Sequence, residues 1–412
     1  MNRCCKFKSF VFGKVYFEDK LTEKEKLIIE IEPRNNGQKL CSVCHRPCPG
    51  YDTMAVRDFR FIPLWGIAVF FRYCRRRVTC PEHGIIAEWL PWAEGKSPLT
   101  SHLKIYLAHW AEYLSWQKVA EIFRVTWENV YSAVEYVVEY GLEHRCLDGI
   151  QALGIDELQY RLGHQYLTLV YQLDDGCRRL LYIAQARTEE SLRGFFEWFG
   201  ETRTAMLEAI CTDMWKPYLK VIREMAPKAI NILDRFHIMK KFNEAIDNIR
   251  RREVRKLRVE GKEPVLKHSR WLLLKNPINQ TTSQLVRLAD LLRYNLQAVR
   301  AFLLKESFQD FWTYSSAYWA GQFLKKWTKQ AMSSKIEEIK EVARMLRRHE
   351  DLILNWFRTK EPLSNGIVEG FNAKANLTIR KGYGFKQYKT IRIALYHQLG
   401  GLPYPELTHK FF

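Results

Sequence analysis

The chain has 412 residues, 47% hydrophobic and 27% charged. That composition excludes a wholly disordered chain and, at roughly 100–200 residues per domain, implies two or three domains. Lys and Arg number 65 against 46 acids, a net charge of +19, which points to a polyanion, most simply nucleic acid, over mere solubility or acidic lipid. The clearest apolar runs, such as Ile62–Phe71, are far too short to cross a bilayer, and the basic Met1–Phe10 start has no apolar signal core. A cytoplasmic protein without a membrane partner is expected, its ten cysteines serving as thiols and metal ligands rather than disulfides.

Phe10–Phe17 and Leu27–Glu32 read as short strands around a charged turn at Glu18–Lys26, and Asn35-Asn36-Gly37 is a turn signal. Residues 41–92 gather Cys41, Cys44, Cys48, Cys74, Cys80 and His83 around an aromatic, β-branched stretch, Trp65–Tyr73, that reads as a strand. Cys41-x-x-Cys44 and Cys80-x-x-His83 are two ligand pairs of zinc-ribbon spacing, since a two-residue gap lets both side chains of a pair reach one ion. Cys48 and Cys74 are competing ligands, and thiols without metal are the alternative. Four protein ligands leave no open coordination position, so such a site is structural and not a zinc hydrolase centre.

From residue 99 the pattern turns helical. Leu103–Leu114 has an apolar face, Ser115 caps Trp116–Phe123, Arg124-Val125 make a turn, and Thr126 caps Trp127–Tyr140, which is expected to stop at Gly141. This is the helix-turn-helix pattern. Thr126, Trp127, Asn129, Tyr131 and Ser132 lie where a recognition helix faces base edges; the alternative is a plain three-helix bundle with Trp127 and Tyr131 in its core.

An α/β pattern follows. Ala152–Ile155 is a short strand running into Asp156-Glu157, Tyr166–Leu173 and Arg179–Ala186 are joined by a hairpin turn at Asp174-Asp175-Gly176, and Thr188 caps a helix to about Phe199. Ala209–Thr212 is a buried strand ending at Asp213. A helix at about Pro217–Met225 and a strand, Ala229–Leu233, ending at Asp234 complete the order. Residues 240–360 are almost all helix-like, and Lys240–Lys275 carries twelve Lys or Arg against five acids. After Pro362 the α/β character is expected to return, with helices around Ile367–Leu377 and Lys389–Leu399. No repeat, low-complexity tract or Walker-type loop is present, so no NTP hydrolysis is implied.

Asp156 and Asp213 both sit at the ends of apolar strands, where two carboxylates can converge on Mg2+ or Mn2+, although either alone reads equally as a turn residue or cap. A third acid, Glu369, shares a helix side with Asn372 and Asn376. No acid follows from Gly370 through Pro405, while Lys374, Arg380, Lys381, Lys386, Lys389 and Arg392 do. A lone carboxylate in a basic stretch suits a metal ligand beside a phosphate chain, or a helix N-terminal Glu complementing the dipole. Asp234-Arg235-Phe236-His237 adds a strand-end Asp with His three residues on.

Gly154-Ile155-Asp156-Glu157, Asp213, Leu233-Asp234-Arg235-Phe236-His237 and SNGIVEGFNAKANLTIRKGYGF (Ser364–Phe385) together resemble the bacterial ISL-three-type insertion-sequence transposases, and the N-terminal segments match that family's layout, so the resemblance covers nearly the whole chain. It implies a multidomain DDE transposase: an N-terminal zinc-binding module (1–95), a helix-turn-helix DNA-binding domain (96–148) and an α/β ribonuclease H-like catalytic domain (149–239 and 362–412) interrupted by an all-α insertion (240–361). By motif match Asp156, Asp213 and Glu369 are the catalytic Mg2+ (or Mn2+) ligands. The Asp234-x-x-His237 pair is similar to the Cys/Asp-x-x-His signature of insertion-bearing DDE enzymes and places His237 near the scissile phosphate. Cys41, Cys44, Cys80 and His83 hold structural Zn2+, with His83 standing where a Cys is common. The implied reaction is hydrolysis at the transposon end, then attack of the freed 3′-hydroxyl on target DNA. The partners implied are double-stranded DNA, as terminal inverted repeats and target, and a second copy of the chain in a dimer or larger synaptic complex at the bacterial nucleoid. Thr126, Trp127, Asn129, Ser132, Asn372, Lys374, Arg380 and Lys381 are the expected DNA contacts. The competing readings are a catalytically silent DNA-binding regulator of the same fold and a metal-dependent nuclease without strand transfer.

Overall fold

A computed structural model describes the chain except residues 1–5, 21, 23–24, 162, 262–264, 276, 360–365, 383–384, 386 and 407–412. Pro362, the Ser364-Asn365 start of the C-terminal motif, Tyr383-Gly384 within it, and parts of the Met1–Phe10, Glu18–Lys26 and Lys240–Lys275 stretches therefore lie outside the described residues. No helix among the described residues is long and apolar enough to cross a membrane. The chain forms two compact units, residues 1–146 with 374–412, and residues 147–373. The cut differs from the expected five-part division, which kept residues 362–412 with the catalytic domain.

The first unit opens with a five-stranded sheet: β1 (Phe10–Glu18), β2 (Lys26–Pro33), β3 (Gly50–Leu64), β4 (Ile67–Cys80) and β5 (Gly84–Ala87). The order is β1-β2-β4-β3 with β5 beside β4, and β2 runs parallel to β4. Its core is aromatic. Trp92 is fully buried and meets the rings of Phe7, Phe10, Phe59, Phe71 and Tyr73, pairs that add to the area each ring removes from water. The expected strand Trp65–Tyr73 is corrected at its start. Trp65 and Gly66 form the two-residue turn between β3 and β4, both with positive φ (52° and 82°), and Leu64 pairs with Ile67. Two left-handed residues in a two-residue hairpin are the type I′ geometry.

Helices α1 (Ser101–Tyr113), α2 (Trp116–Phe123) and α3 (Trp127–His144) follow, capped by the side chains of Thr100, Ser115 and Thr126. Arg124 closes α2 in the left-handed conformation at φ 50°. Gly141 does not end α3, contrary to expectation. A Cβ there would lie 2.5 Å from Leu402 Cβ and 3.0 Å from the Pro403 carbonyl oxygen, so the glycine serves the close approach of the C-terminal segment. The C-terminal helix Tyr388–Leu399 also packs on α3.

The second unit holds β6 (Ala152–Arg161), β7 (Gln165–Gln172), β8 (Arg179–Gln185), α4 (Glu189–Phe199), α5 (Glu201–Thr204), β9 (Ala209–Thr212), α6 (Lys216–Met225) and β10 (Ile230–Leu233). Apart from the short α5, this is the order of strands and helices read from the sequence. The sheet runs β10-β9-β6-β7-β8, with β10, β9 and β6 parallel and the other two pairings antiparallel. Leu153, Ile155 and Val170 pack against Phe195, Phe196 and Phe199 of α4 and Tyr218 and Ile222 of α6. One expectation is corrected: β6 extends past Ile155, so Asp156 lies inside the strand, paired with Leu169, and not beyond its end. Pairing with β7 on one side carries the strand through its polar residues.

Asp234 caps a 25-residue helix, α7 (Arg235–Val259), its carboxylate accepting from the Phe236 N–H at 2.6 Å. Then come α8 (Arg270–Leu274), α9 (Thr282–Leu292), α10 (Gln297–Gln309), α11 (Ala317–Met332), α12 (Glu337–Arg348) and α13 (Glu350–Leu354), sharing a core of Phe242, Phe308, Phe311, Leu324, Trp327 and Ile339. α14 (Gly366–Lys381) begins in this unit. Among the described residues after it only helix is found and no strand, so the α/β character expected after Pro362 is corrected to α alone.

Candidate active site and metal centre

The parallel register of β6 and β9 pairs Ala152 with Ala209, Leu153 with Ile210 and Gly154 with Cys211. Continued two residues, it sets Asp156 beside Asp213; neighbouring strands lie about 4.8 Å apart. Both aspartates are 8% exposed. Asp156 accepts from the Glu157 N–H (2.8 Å) and from the Asn372 side-chain amide of α14, and lies 3.8 Å from His237 Nε2. The buried Tyr171 hydroxyl donates to Asn372 Oδ1 at 2.9 Å, and its ring stacks on Phe371. Asp213 accepts from the Trp215 N–H (2.9 Å) and from Arg187 Nη2 (3.3 Å). Arg187 also pairs with Glu157 at 3.0 Å and lies 4.3 Å from the Trp215 ring. His237 Nε2 is 3.7 Å from Asp234.

Four acids in a small, largely dry volume perturb one another. Burial raises Asp213. Burial lifts Asp234 to about 6, and burial with the nearby Asp213 charge lifts Glu157 to about 7. For His237 burial disfavours the cation, yet Asp156, with Asp234 and Asp213, outweighs it and holds the imidazole above its ordinary value. Such displaced groups, clustered beside the parallel strands, make this a candidate site of chemistry. The donors are hard oxygens of the kind a divalent cation takes: Asp156 lies inside β6 and Asp213 one residue beyond β9. The buried Glu157 Oε2 and Thr212 Oγ1 have no hydrogen-bond partner among the described residues, while no three of these acids have ligand atoms all within 4.8 Å of one another.

The sequence-chosen residues are not all brought together. Glu369 is exposed on α14, one turn before Asn372. Among the described residues Asp156, Asp213 and Glu369 do not form a group whose ligand atoms all lie within 4.8 Å of one another. Asn372, expected at DNA, spends its amide on Asp156 and Tyr171.

In the first unit Cys41, Cys44, Cys80 and His83 do form such a group. The Cys41–Cys44 turn closes with the His45 N–H on the Cys41 carbonyl (3.0 Å), and Cys80 and Gly84 pair at the β4–β5 turn. Cys44 and Cys80 sulfurs are 3.7 Å apart, and His83 Nδ1 is 3.4 Å from Cys80 and 3.8 Å from Cys41. Burial opposes the Cys80 thiolate, but the Glu82 and His83 N–H groups bring the thiol down to about 7. Three sulfurs and an imidazole suit a tetrahedral soft-metal site. Cys74 is exposed and donates to the Met54 carbonyl, and the Cys48 thiol donates to the Arg46 carbonyl, so neither competitor joins the group.

Thr126 is spent capping α3, accepting from the Asn129 N–H at 3.2 Å. Trp127 is half-buried, stacked on Tyr131 and tilted against Trp116. Asn129 and Ser132 are half-buried, and Lys374, Arg380 and Lys381 are exposed.

The family model for DDE transposases of the ISL3 type matches residues 153–395, a span that holds every acid described above. The chain belongs to the ISL3-type transposase family. It is 29% identical over 350 residues to the transposase of insertion sequence element IS1001 from Bordetella parapertussis, covering 84% of this chain and 85% of that protein. To the transposase of IS1557 from Mycobacterium tuberculosis it is 29% identical over 398 residues, covering 90% and 87%. In this transposase, sequence reasoning missed Arg187, Glu157 and Tyr171 as members of the acid centre. Only Glu157 carried a signal, as the neighbour of Asp156; Arg187 and Tyr171 arrive through strand pairing that no local motif announces.

Proposed function

We propose that this chain is the transposase of a bacterial insertion sequence, cutting DNA at terminal inverted repeats and joining the freed ends to target DNA. The observation that carries the reading is the parallel pairing of β6 with β9, which supports a shared site for Asp156, inside β6, and Asp213, one residue beyond β9, with Asp156 tied to α14 three residues beyond Glu369. The sheet order supports a ribonuclease H-like domain interrupted by the all-α insertion at 240–361, whose described helices run from α7 to α13. Asp156, Asp213 and Glu369 would hold Mg2+ or Mn2+, which when bound supplies Lewis acidity at the scissile phosphate. Both chemical steps are in-line displacements at phosphorus, with water and then a 3′-hydroxyl attacking.

The protein's own groups prepare that centre. Asn372 and the Glu157 N–H fix the Asp156 carboxylate, and the Trp215 N–H fixes Asp213. Glu369 sits on the opening turn of α14, next to Val368, which packs against Gly154 of β6, and would complete the set when a DNA end is bound. Cys41, Cys44, Cys80 and His83 support a structural Zn2+. α2 and α3 support a helix-turn-helix that reads the repeats, and Lys374, Arg380 and Lys381 hold phosphates by contacts that weaken with salt. Pairing two ends calls for a dimer or larger synaptic complex, acting at the nucleoid.

The test incubates the full chain with Mg2+ and a supercoiled plasmid carrying the element's ends. Joined products are expected, and Asp213→Asn abolishes them. Cuts without joining would reduce the assignment to a nuclease; DNA binding with no cleavage in the parent protein would leave a regulator.

A further inference from the structure

We propose that Arg187 is a built-in counter-ion of the acid centre, which pins Asp213 while no divalent cation is bound and must release it before one binds. The inference rests on the proposed transposase reading and goes beyond it by assigning a role to a residue outside the acid triad.

The site around Arg187 is constructed. Ala186, immediately before it, holds φ 79°, a left-handed conformation that costs an alanine free energy unless its surroundings fix it. They do: the Ala186 N–H donates to the Tyr166 carbonyl, and the Thr168 hydroxyl donates to the Ala186 carbonyl, each at 2.8 Å. The bend sends Arg187 to Glu157 and Asp213, with its guanidinium over Trp215. Its grip is uneven, 3.0 Å to Glu157 and 3.3 Å to Asp213. Once Asp213 is given up, Glu157 and Trp215 remain as partners of the guanidinium. The network is also incomplete, because Arg187 Nε and Glu157 Oε2 are buried without a hydrogen-bond partner among the described residues.

Charge explains why such a residue is needed. Asp156, Glu157, Asp213 and Asp234 are all largely buried, and unpaired carboxylates at such spacing repel strongly where water is scarce. Arg187 and His237 are the cations in contact with them among the described residues. A divalent ion on Asp213 replaces the charge of Arg187 and competes for the same carboxylate oxygen. Arg187 is thus a positioning residue that sets the cation concentration at which the centre assembles.

The test is a Mn2+ titration of the zinc-loaded full chain without DNA, read by the electron paramagnetic resonance of free Mn2+, with melting temperature followed alongside. Arg187→Gln is expected to bind Mn2+ roughly three- to tenfold more tightly than the parent protein, because a like charge is removed. It also melts lower without metal and gains more on adding Mn2+. Arg187→Lys keeps the charge but cannot fork to two carboxylates, so it binds Mn2+ with an affinity between the two and remains informative if the Gln variant does not fold. Parent-like or weaker Mn2+ affinity in both variants overturns the inference. Asp213→Asn separates this from the underlying reading: if that variant binds Mn2+ like the parent, the acid centre is not the metal centre and both fall. If it loses Mn2+ while the Arg187 variants do not change, the counter-ion role alone fails.

Discussion

Gly154, two residues before Asp156, tests whether α14 is truly seated on the catalytic strand. A Cβ built there would lie 2.7 Å from Val368 Cγ2 and 3.0 Å from a Leu173 methyl. Leu173 can rotate, but Val368 is β-branched, fixed in one rotamer on a helix and 3% exposed. Gly154→Ala therefore overpacks the contact and is expected to cost about 1–3 kcal/mol, several degrees of melting temperature for a unit of this size. Val368→Ala removes two buried methyls, about 2 kcal/mol with its cavity. If the two side chains meet, the double variant has room for the new methyl, and its loss falls short of the sum of the single losses by at least about 1 kcal/mol. Differential scanning calorimetry of the four proteins measures the cycle. Additivity within about 0.5 kcal/mol would refute the packing of α14 on β6, and with it the route by which Glu369 reaches the other acids.

Two further outcomes are expected. Elemental analysis should find one zinc per chain, lost in Cys80→Ser but retained in Cys74→Ser; a zinc-free Cys41–His83 segment should lose amide protection selectively in hydrogen exchange. Burial pushes His102 and His397 down to about 4, so each stays neutral in the fold while the unfolded chain takes a proton near pH 6.5. Stability is thus fully present above about pH 6.5 and declines toward pH 4, by up to roughly 2 kcal/mol per histidine at pH 5. Glu157 and Asp234, pushed upward, act in the opposite sense. The informative quantity is therefore the urea-unfolding difference between parent and His397→Gln at pH 7.5 and 5, and a pH-independent difference would contradict the reading.

Where the sequence was legible, one periodicity met one environment. α2 matches its expected bounds, and the strand order from β6 to β10 follows from short apolar runs broken by turn residues. β3 was invisible because its first seven residues, Gly50–Val56, are all exposed and show no alternation. Gly141 was misread because a helix-ending glycine and one that admits a neighbour look alike in one dimension. Asp156 was placed past its strand because Asp and Glu are weak strand formers, a preference overridden by pairing with β7. The metal group at Cys41, Cys44, Cys80 and His83 was readable because thiols at two-residue spacing have few other uses. Arg187, Tyr171 and the amide of Asn372 were not, since their partners lie 26 to 216 residues away along the chain and only the folded sheet supplies them.

The measurement closest to the central claim is a structure of the full chain with transposon-end DNA and Ca2+, which occupies such sites without supporting turnover. The account predicts that Glu369 has moved in to share cations with Asp156 and Asp213 over a single phosphate, and that Arg187 has left Asp213 while staying on Glu157. A Glu369 carboxylate remote from the two aspartates in that complex would contradict it.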